Sequence, residues 1–394
     1  MSARLIALSP DLSRLRAEGY ELDVRDGYVT VANVPYVTNA REVARATMVI
    51  ALTTSGERTA APPDHTVLWT GSMPCHRDGR PIARIDAGAG HGEIAPDLVT
   101  GHRFSSKPQP AGRYDNYYHQ FTSYIAIISH EAQALDPQAT AATFAPVETS
   151  EEESVFRYLD SASSRAGITK ANAKLELAKL AIVELGGTGS YVLDLVAKTP
   201  VHEIHLFDGD FLLNHNAFRA PGAVPLAALK ERPAKVDYYA ALYGEFRRGI
   251  VAHAYRVGQH NALELDEMAF VFLCMDGGPD KLALVERLEA AGVPFVDCGM
   301  GLDEHDGQIG GIVRVTTSTP GRREHARTRI SFDDPDDEAN EYARNIQVAD
   351  LNALNACLAV IRWKKQFGFY RDLEEEHNTL FTIDGNHLLN EDRP

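Results

Sequence analysis

The sequence contains few cysteines and no long apolar run. Its four cysteines include no C-x-x-C pair, which excludes a cysteine zinc clip and an evident disulfide framework. No stretch of about 18 apolar residues occurs, as a membrane-spanning helix would need. The first residues, MSARLIALSPDLSRLRAEGY, are polar where a signal peptide needs an apolar segment. We therefore expect a cytoplasmic protein with no membrane partner.

Basic residues are also scarce. The chain has 39 lysines and arginines against 55 aspartates and glutamates, a formal net charge of −16. This charge opposes a sequence-independent grip on nucleic acid, and no basic, aromatic-rich patch offsets it, so we expect no nucleic-acid partner. The 44% hydrophobic and 24% charged content is ordinary for a globular protein, and 394 residues suit two domains.

The first part of the chain, residues 1–148, is predicted to be a smaller α+β domain. Runs such as GYVTVANVPYV and TMVIAL favour strands, whereas the segment 62–112 is rich in turn residues. The acidic segment APVETSEEE, residues 145–153, indicates the boundary to a second domain, 149–394. Before it, one helix is indicated by apolar side chains at helical spacing: Tyr118, Phe121, Tyr124, Ile125 and Ile128.

The second domain, 149–394, alternates strand and helix patterns. Strand-like runs include LAIVEL, EIHLFD, GIVAHAYRV, AFVFLCMD and FVDCGM. This alternation predicts a Rossmann-like α/β fold, with a mostly parallel sheet covered on both faces. Residues 316–345 are charged and poor in apolar residues, which indicates a surface excursion. The helix after it is predicted to bear an apolar stripe of Leu351, Leu354, Leu358 and Ile361.

A glycine cluster follows the first strand of this domain. Gly186, Gly187 and Gly189 come directly after LAIVEL, where a tight turn brings backbone N–H groups and a helix N-terminus against a phosphate. Asp208 ends the next strand, where a Rossmann unit keeps its ribose-binding acid. A structural glycine turn is the alternative. A nicotinamide dehydrogenase is disfavoured, because G-x-G-x-x-G spacing from Gly187 ends on Val192.

A series of polar residues continues from this point. In chain order it consists of Asp208 and Asp210 in D-x-D, Asn216 and Arg219 in N-x-x-R, Lys235 in ERPAKVDYY, and Asp276 in FVFLCMDGG. The series resembles the adenylyltransferase domain of the ubiquitin-activating and ThiF/MoeB family, and the resemblance covers roughly residues 154–370. It implies that Asp208 or Asp210 takes the ribose hydroxyls of a nucleotide.

The resemblance implies ATP-dependent adenylation of the C-terminal glycine of a ubiquitin-like protein, with ATP and Mg²⁺ as cofactors. Adenylation brings a carboxylate against the α-phosphate while pyrophosphate leaves, so cations must gather there. By the same resemblance Arg219 and Lys235 hold the phosphates and Asn216 orients them. Asp276 would bind Mg²⁺.

Further partners are implied in the same way. Arg165, in LDSASSRAGI, resembles the family arginine that reaches across a dimer into the partner's nucleotide site, which implies a homodimer or pseudo-dimer. The first domain would dock the ubiquitin-like protein or a conjugating enzyme.

The chain departs from its relatives at cysteine. The paired C-x-x-C zinc motifs of bacterial sulfur-carrier activators are missing, and the thioester cysteine of ubiquitin-activating enzymes has no counterpart in residues 302–345. Cys75 is flanked by His76 and Arg77, which could lower its pKa, but a structural cysteine is favoured. We favour direct handover of the acyl group to a partner's cysteine over transfer to Cys75 or capture by a hydroxyl such as Ser318 or Ser331. The remaining thiols are expected to be buried and unreactive: Cys274, Cys298 and Cys357.

Other functions remain open alongside this one. Some family members activate a tRNA or a small molecule, although the net charge of −16 counts against tRNA. A scaffold that binds nucleotide without turnover is another possibility, and a retained set of phosphate and metal residues argues against it.

Overall fold

The computed structural model describes residues 2–152, 154–333 and 346–390. The chain divides into two compact units, one of Met1–Glu153 with Tyr158–Gly167 and one of Ser154–Arg157 with Ile168–Pro394. We call them unit 1 and unit 2. None of the described helices combines the length and the apolar character that a membrane crossing requires.

Unit 1 is an antiparallel sheet with helices packed on it. Its helices are α1 (Ser2–Leu8), α2 (Pro10–Ala17), α3 (Tyr117–Leu135) and α4 (Ser161–Arg165). Its strands are β1 (Glu21–Arg25), β2 (Tyr28–Val37), β3 (Val43–Ala51), β4 (Thr54–Ser55), β5 (Arg58–Thr59), β6 (Thr66–Trp69), β7 (Asp86–Ala95) and β8 (Leu98–Ser105). The main sheet has the order β1-β2-β3-β6-β8-β7.

The core of unit 1 lies between α3 and this sheet. Tyr117, Phe121 and Tyr124 of α3 are fully buried, and they share a cluster with Trp69 and Phe104 of the strands. Four of the five positions predicted for this helix are buried, namely Phe121, Tyr124, Ile125 and Ile128, and Tyr118 is partly buried. Full burial of each large apolar side chain is worth about 1.5–3 kcal/mol.

The segment 62–112 is not simply turns, because it contributes strands β6, β7 and β8. Strand β7, DAGAGHGEIA, is largely exposed and has irregular register against β8. Its glycines hide the strand pattern in the sequence, yet Gly90 fits closely against β8, where an added Cβ would lie 2.3 Å from the Thr100 carbonyl oxygen.

Unit 2 is an α/β fold. Its strands are β9 (Lys179–Val183), β10 (Glu203–Phe207), β11 (Ile250–His253), β12 (Phe270–Leu273), β13 (Phe295–His305), β14 (Gln308–Ser318), β15 (Asn378–Thr382) and β16 (His387–Asn390). Its helices are α5 (Thr169–Asn172), α6 (Gly187–Val196), α7 (Asn214–Ala217), α8 (Leu226–Glu231), α9 (Lys235–Gly244), α10 (Pro279–Ala291) and α11 (Ala349–Gln366). Short 3₁₀ turns span Ala83–Ile85 in unit 1 and Ala173–Leu175, Ala262–Leu265 and Ala326–Thr328 in unit 2.

The sheet of unit 2 has the order β11-β10-β9-β12-β13-β14-β15-β16. Strands β11 to β13 in this order are parallel, and β14, β15 and β16 extend the sheet antiparallel. The predicted Rossmann-like, mostly parallel sheet is confirmed. Because β9 connects to β10 on one side and pairs with β12 on the other, the strand order reverses there and opens a crevice at the carboxyl ends, where such folds bind ligands.

Both faces of this sheet are covered. Side chains of α6, α9 and α11 share one apolar cluster with Ile182 and Phe272, and α10 shares another with Val183 and Leu273. The predicted excursion 316–345 begins inside β14, carries the 3₁₀ turn Ala326–Thr328, and runs from 334 to 345 outside the described residues.

Helix α11 buries a different face from the predicted one. Leu351, Leu354 and Leu358 are only partly buried, and Ile361 is 42% exposed. The buried positions are Asn352, Asn355, Ala356, Ala359, Val360, Arg362 and Trp363. The prediction was wrong because α11 packs closely on the glycine-rich start of α6. Close packing of two helices favours small and amide side chains over leucines.

Candidate nucleotide site

The glycine turn lies at the carboxyl end of β9, inside the crevice. Glu184 follows the strand with a φ of +66°, and α6 begins at Gly187 with Gly186 as its N-cap. An added Cβ on Gly189 would lie 1.9 Å from the Glu184 carbonyl oxygen, whereas Gly186 has nothing within 4 Å. The first N–H groups of α6 have no side-chain cap, and such groups with the helix dipole favour an anion.

Asn352 of α11 fastens this turn. Its side chain occupies the space beside Gly187, where a Cβ would lie 2.0 Å from Nδ2. The Thr188 hydroxyl donates to Asn352 Oδ1 at 3.0 Å, and Nδ2 donates to the Arg219 carbonyl oxygen at 3.4 Å. One side chain therefore joins the glycine turn to the N-x-x-R segment.

The D-x-D pair gathers two cations. Asp208 is almost fully buried and accepts the Leu185 N–H at 2.7 Å and the Asp210 N–H at 2.8 Å. Lys235 Nζ lies 3.1 Å from Asp208 Oδ2 and 2.9 Å from Asp210 Oδ2. Arg256 approaches the other oxygen of Asp210 at 3.1 Å, and its stem packs on Gly209. Lys235 therefore forms ion pairs with both aspartates.

The two carboxylates differ in access. Burial opposes ionisation of Asp210, but hydrogen bonds and charge from Lys235 and Arg256 outweigh it and lower the pKa of Asp210. Its side chain is 50% exposed, against 2% for Asp208. Asp210 is therefore accessible to a ligand, whereas Asp208 already holds the glycine turn against the end of β10.

Two buried nitrogen atoms in the N-x-x-R segment have no hydrogen-bond partner among the described residues. They are Asn216 Nδ2 and Arg219 Nε. Asn216 is 3% exposed and uses its oxygen to accept the Leu213 N–H at 2.9 Å. A buried donor ordinarily has a hydrogen-bond partner, and an anionic ligand at this turn would supply one to both atoms.

Asp276 lies just beyond β12 on the other side of the crevice and is exposed. A hydrogen bond fixes the backbone before Asp276, because Lys281 Nζ donates to the Met275 carbonyl oxygen at 3.2 Å. Lys281 and Arg314 both pair with the fully buried Asp297, each at 2.6 Å. The end of β12 is therefore fixed by a buried ion-pair network.

Three residues of the site were not predicted from the sequence: Glu184, Arg256 and Asn352. Glu184 lies between the two acidic strand ends: burial, then the charges of Asp208 and Asp276, raise its pKa to about 7. The available signal was a glutamate two residues before Gly186, at the end of an otherwise apolar strand. Arg256 and Asn352 carry no such signal in the sequence.

Other predicted residues lie elsewhere. Arg165 ends the short helix α4 in unit 1 and is exposed, and its role across a dimer stays a prediction. Cys75 is 1% exposed, and burial followed by the charge of Asp78 raises its pKa, which agrees with the favoured structural role and not with activation by His76 and Arg77. His76 instead pairs with Glu131 at 2.9 Å.

The other thiols also differ in access. Cys298 is buried and Cys274 partly buried, and the pKa of Cys274 is raised by its contact with Cys298 and by burial. Cys357 is exposed, which contradicts the expectation that it is buried, since it lies on the outer side of α11.

Comparisons with known proteins give one family model and a set of similar solved structures. Residues 10–161 match the family model described as a domain of unknown function, DUF6791. No curated protein matches the sequence significantly.

Solved structures resemble 56% of the chain. The microcin C7 biosynthetic enzyme MccB in complex with N-formylated MccA has a TM-score of 0.43 at 17% identity over 65% of its length. MccB of E. coli with ATP has a TM-score of 0.42 at 17% identity over 64% of its length. PaaA has a TM-score of 0.41 at 14% identity over 74% of its length. The chain thus spans less than two thirds of these MccB chains, and TM-scores this low carry no functional conclusion.

Proposed function

We propose that unit 2 adenylates the C-terminal carboxylate of a ubiquitin-like protein with ATP and Mg²⁺. The observation that carries the proposal is the pair of unpartnered buried donors, Asn216 Nδ2 and Arg219 Nε, joined through Asn352 to the start of α6. A phosphate group at this turn would give both donors an acceptor. The motif order from Asp208 to Asp276 adds the resemblance to ubiquitin-activating and ThiF/MoeB enzymes.

The residues present fit a nucleotide better than a resident metal. Among the described residues no group of three or more His, Cys, Asp or Glu side chains could hold a metal ion. Mg²⁺ usually keeps several waters and is bound by one or two carboxylates together with substrate phosphates. Asp276 would be that carboxylate, so the metal would enter with ATP.

In the proposed reaction an oxygen of the substrate carboxylate attacks the α-phosphorus, the bond to the β-phosphate oxygen breaks, and pyrophosphate leaves. Arg219 and the N–H groups of α6 would stabilise the charge that develops on the phosphate oxygens. Lys235 would shift from Asp210 toward the phosphates, which frees Asp210 for the ribose hydroxyls. Asp208 would keep the turn in place.

The acyl-adenylate would then pass its acyl group to a thiolate. We propose handover to a cysteine of a conjugating partner docked on unit 1, because Cys75 is buried and its pKa is raised. We also propose that the protein forms a homodimer, in which Arg165 of one subunit reaches the nucleotide of the other.

The test is an ATP–pyrophosphate exchange assay with a ubiquitin-like protein that ends in glycine, preceded by ATP binding measured by calorimetry. Arg219→Ala is expected to lower exchange by about 10²-fold. Arg323→Ala is the matched control, since that side chain donates to the Thr319 carbonyl oxygen outside the crevice. Equal losses in both variants would mean that general charge, not the site, explains the effect.

ATP binding without exchange would support the nucleotide-binding scaffold instead. Absence of ATP binding in the wild-type protein would contradict the whole proposal.

A further inference from the structure

A row of polar side chains crosses the outer strands of unit 2, beside the candidate nucleotide site. Glu203 and His205 lie on β10, His253 ends β11, and Tyr255 and Glu264 follow it. Glu203 Oε2 lies 3.1 Å from His205 Nε2, and His205 Nδ1 lies 3.0 Å from His253 Nε2. His253 Nδ1 lies 3.1 Å from the Tyr255 hydroxyl, which donates to Glu264 Oε2 at 2.5 Å.

The four contacts of this row need four protons, one for each hydrogen bond. An ionised carboxylate only accepts, a tyrosine hydroxyl supplies one proton, and a neutral imidazole supplies one. Two neutral histidines and Tyr255 therefore supply three. With carboxylates at both ends, the row as described is one proton short.

We propose that the His205–His253 pair is a proton-binding site that holds one extra proton near neutral pH. His205 is then an imidazolium that donates from Nε2 to Glu203 and from Nδ1 to His253. His253 is neutral, with its proton on Nδ1, and donates to Tyr255. This arrangement satisfies every contact in the row.

The surroundings favour this placement of the proton. The extra proton is placed on an imidazole because histidine is the side chain that ordinarily changes its charge between pH 5 and 8. Burial, then the neighbouring His205, lower the pKa of His253, which suits the neutral role. Besides Glu203, Glu267 acts electrostatically on His205, and Glu267 itself pairs with Lys179, whose Nζ lies 2.7 Å from Glu267 Oε2.

The proton would also affect Arg256, at the candidate nucleotide site. Tyr255 directly precedes Arg256, which pairs with Asp210 and packs on Gly209. Loss of the proton removes one of the four hydrogen bonds and so loosens the segment that carries Arg256 to the D-x-D pair. The proposal concerns the protonation of the row and stands whether or not unit 2 adenylates a substrate.

The experiment is a long-range ¹H–¹⁵N spectrum of the full chain with labelled imidazole rings, recorded at about pH 7. His205→Gln and His253→Gln assign the two rings. We expect one imidazolium with both nitrogens protonated and one neutral ring with its proton on Nδ1. Two neutral rings in the wild-type protein would overturn the proposal.

Two variants test the proton count. In Glu264→Gln the new amide donates to Tyr255, which can donate to His253, so four bonds form with neutral rings. In Tyr255→Phe only two bonds remain among Glu203, His205 and His253, and neutral rings supply both. The imidazolium signal is expected to vanish in both variants. Its persistence in both would show that the charge does not depend on the row. His305→Gln is the control, because that side chain is 89% exposed.

Discussion

Lys235→Met tests whether the ion pairs under the D-x-D segment hold unit 2 together. Lys235 and Asp208 are 6% and 2% exposed, so removing the ammonium group leaves a buried carboxylate with only N–H donors. Removing one partner of a buried pair costs about 3–5 kcal/mol. At about 2–4 °C per kcal/mol for a domain of this size, the lower figure corresponds to a fall in Tm of about 6–12 °C.

The assay is thermal unfolding followed by calorimetry, with Lys198→Met as the matched control. Lys198 also pairs with an aspartate, Asp194 at 2.7 Å, but its side chain is 57% exposed, and exposed pairs contribute about 0–1 kcal/mol. The double variant Asp208→Asn with Lys235→Met should recover part of the loss, because no unpaired charge remains. A Tm for Lys235→Met no lower than that of Lys198→Met would refute the reasoning.

Three further predictions concern the same crevice and the thiols. Asp276→Asn is expected to reduce Mg²⁺-dependent exchange by about 10²–10³-fold with little change in Tm, and activity within about tenfold of wild type would remove Asp276 from the metal role. The pKa of Glu184 is raised from 4.5 to about 7, so its contribution to stability is complete below pH 4.5 and is lost as the pH rises through 7. Glu184→Gln should therefore flatten the pH dependence of denaturant unfolding in this window and stabilise the alkaline form by about 3 kcal/mol; an unchanged profile would contradict it. Under native conditions iodoacetamide should alkylate the exposed Cys357 well before the buried Cys75, as peptide mass spectrometry would show, and the reverse order would exclude the described burial.

The sequence predicted the parallel sheet and the D-x-D segment because both follow from local patterns. Strand β9, the glycine turn and β10 occupy consecutive stretches, so their order fixes where Asp208 and Asp210 lie relative to the turn. Burial of apolar runs on both faces of a parallel sheet also leaves a clear signal in composition. The contact between Lys235 and the two aspartates was not predicted, since it depends on how the chain returns after α8.

The residues that complete the site come from distant parts of the chain. Asn352 lies in a helix whose leucine spacing indicated a different buried face, and close packing on Gly187 decided the outcome. Arg256 follows β11, which the strand pattern of the sequence had predicted. Its pairing with Asp210 depends on β11 lying next to β10 in the sheet, and local sequence does not show this. Strand β7 was missed because its glycines lower strand propensity, whereas pairing with β8 supplies its hydrogen bonds.

The link between Thr188 and Asn352 also constrains when the site can form during synthesis. The two residues are 164 positions apart, so the glycine turn leaves the ribosome long before the asparagine that fills the space beside Gly187. At about 5–20 residues per second, translation of that interval takes about 8–33 s. A nascent chain would therefore carry an unfastened turn while 164 of its 394 residues are added, and the turn could be completed only after α11 had emerged.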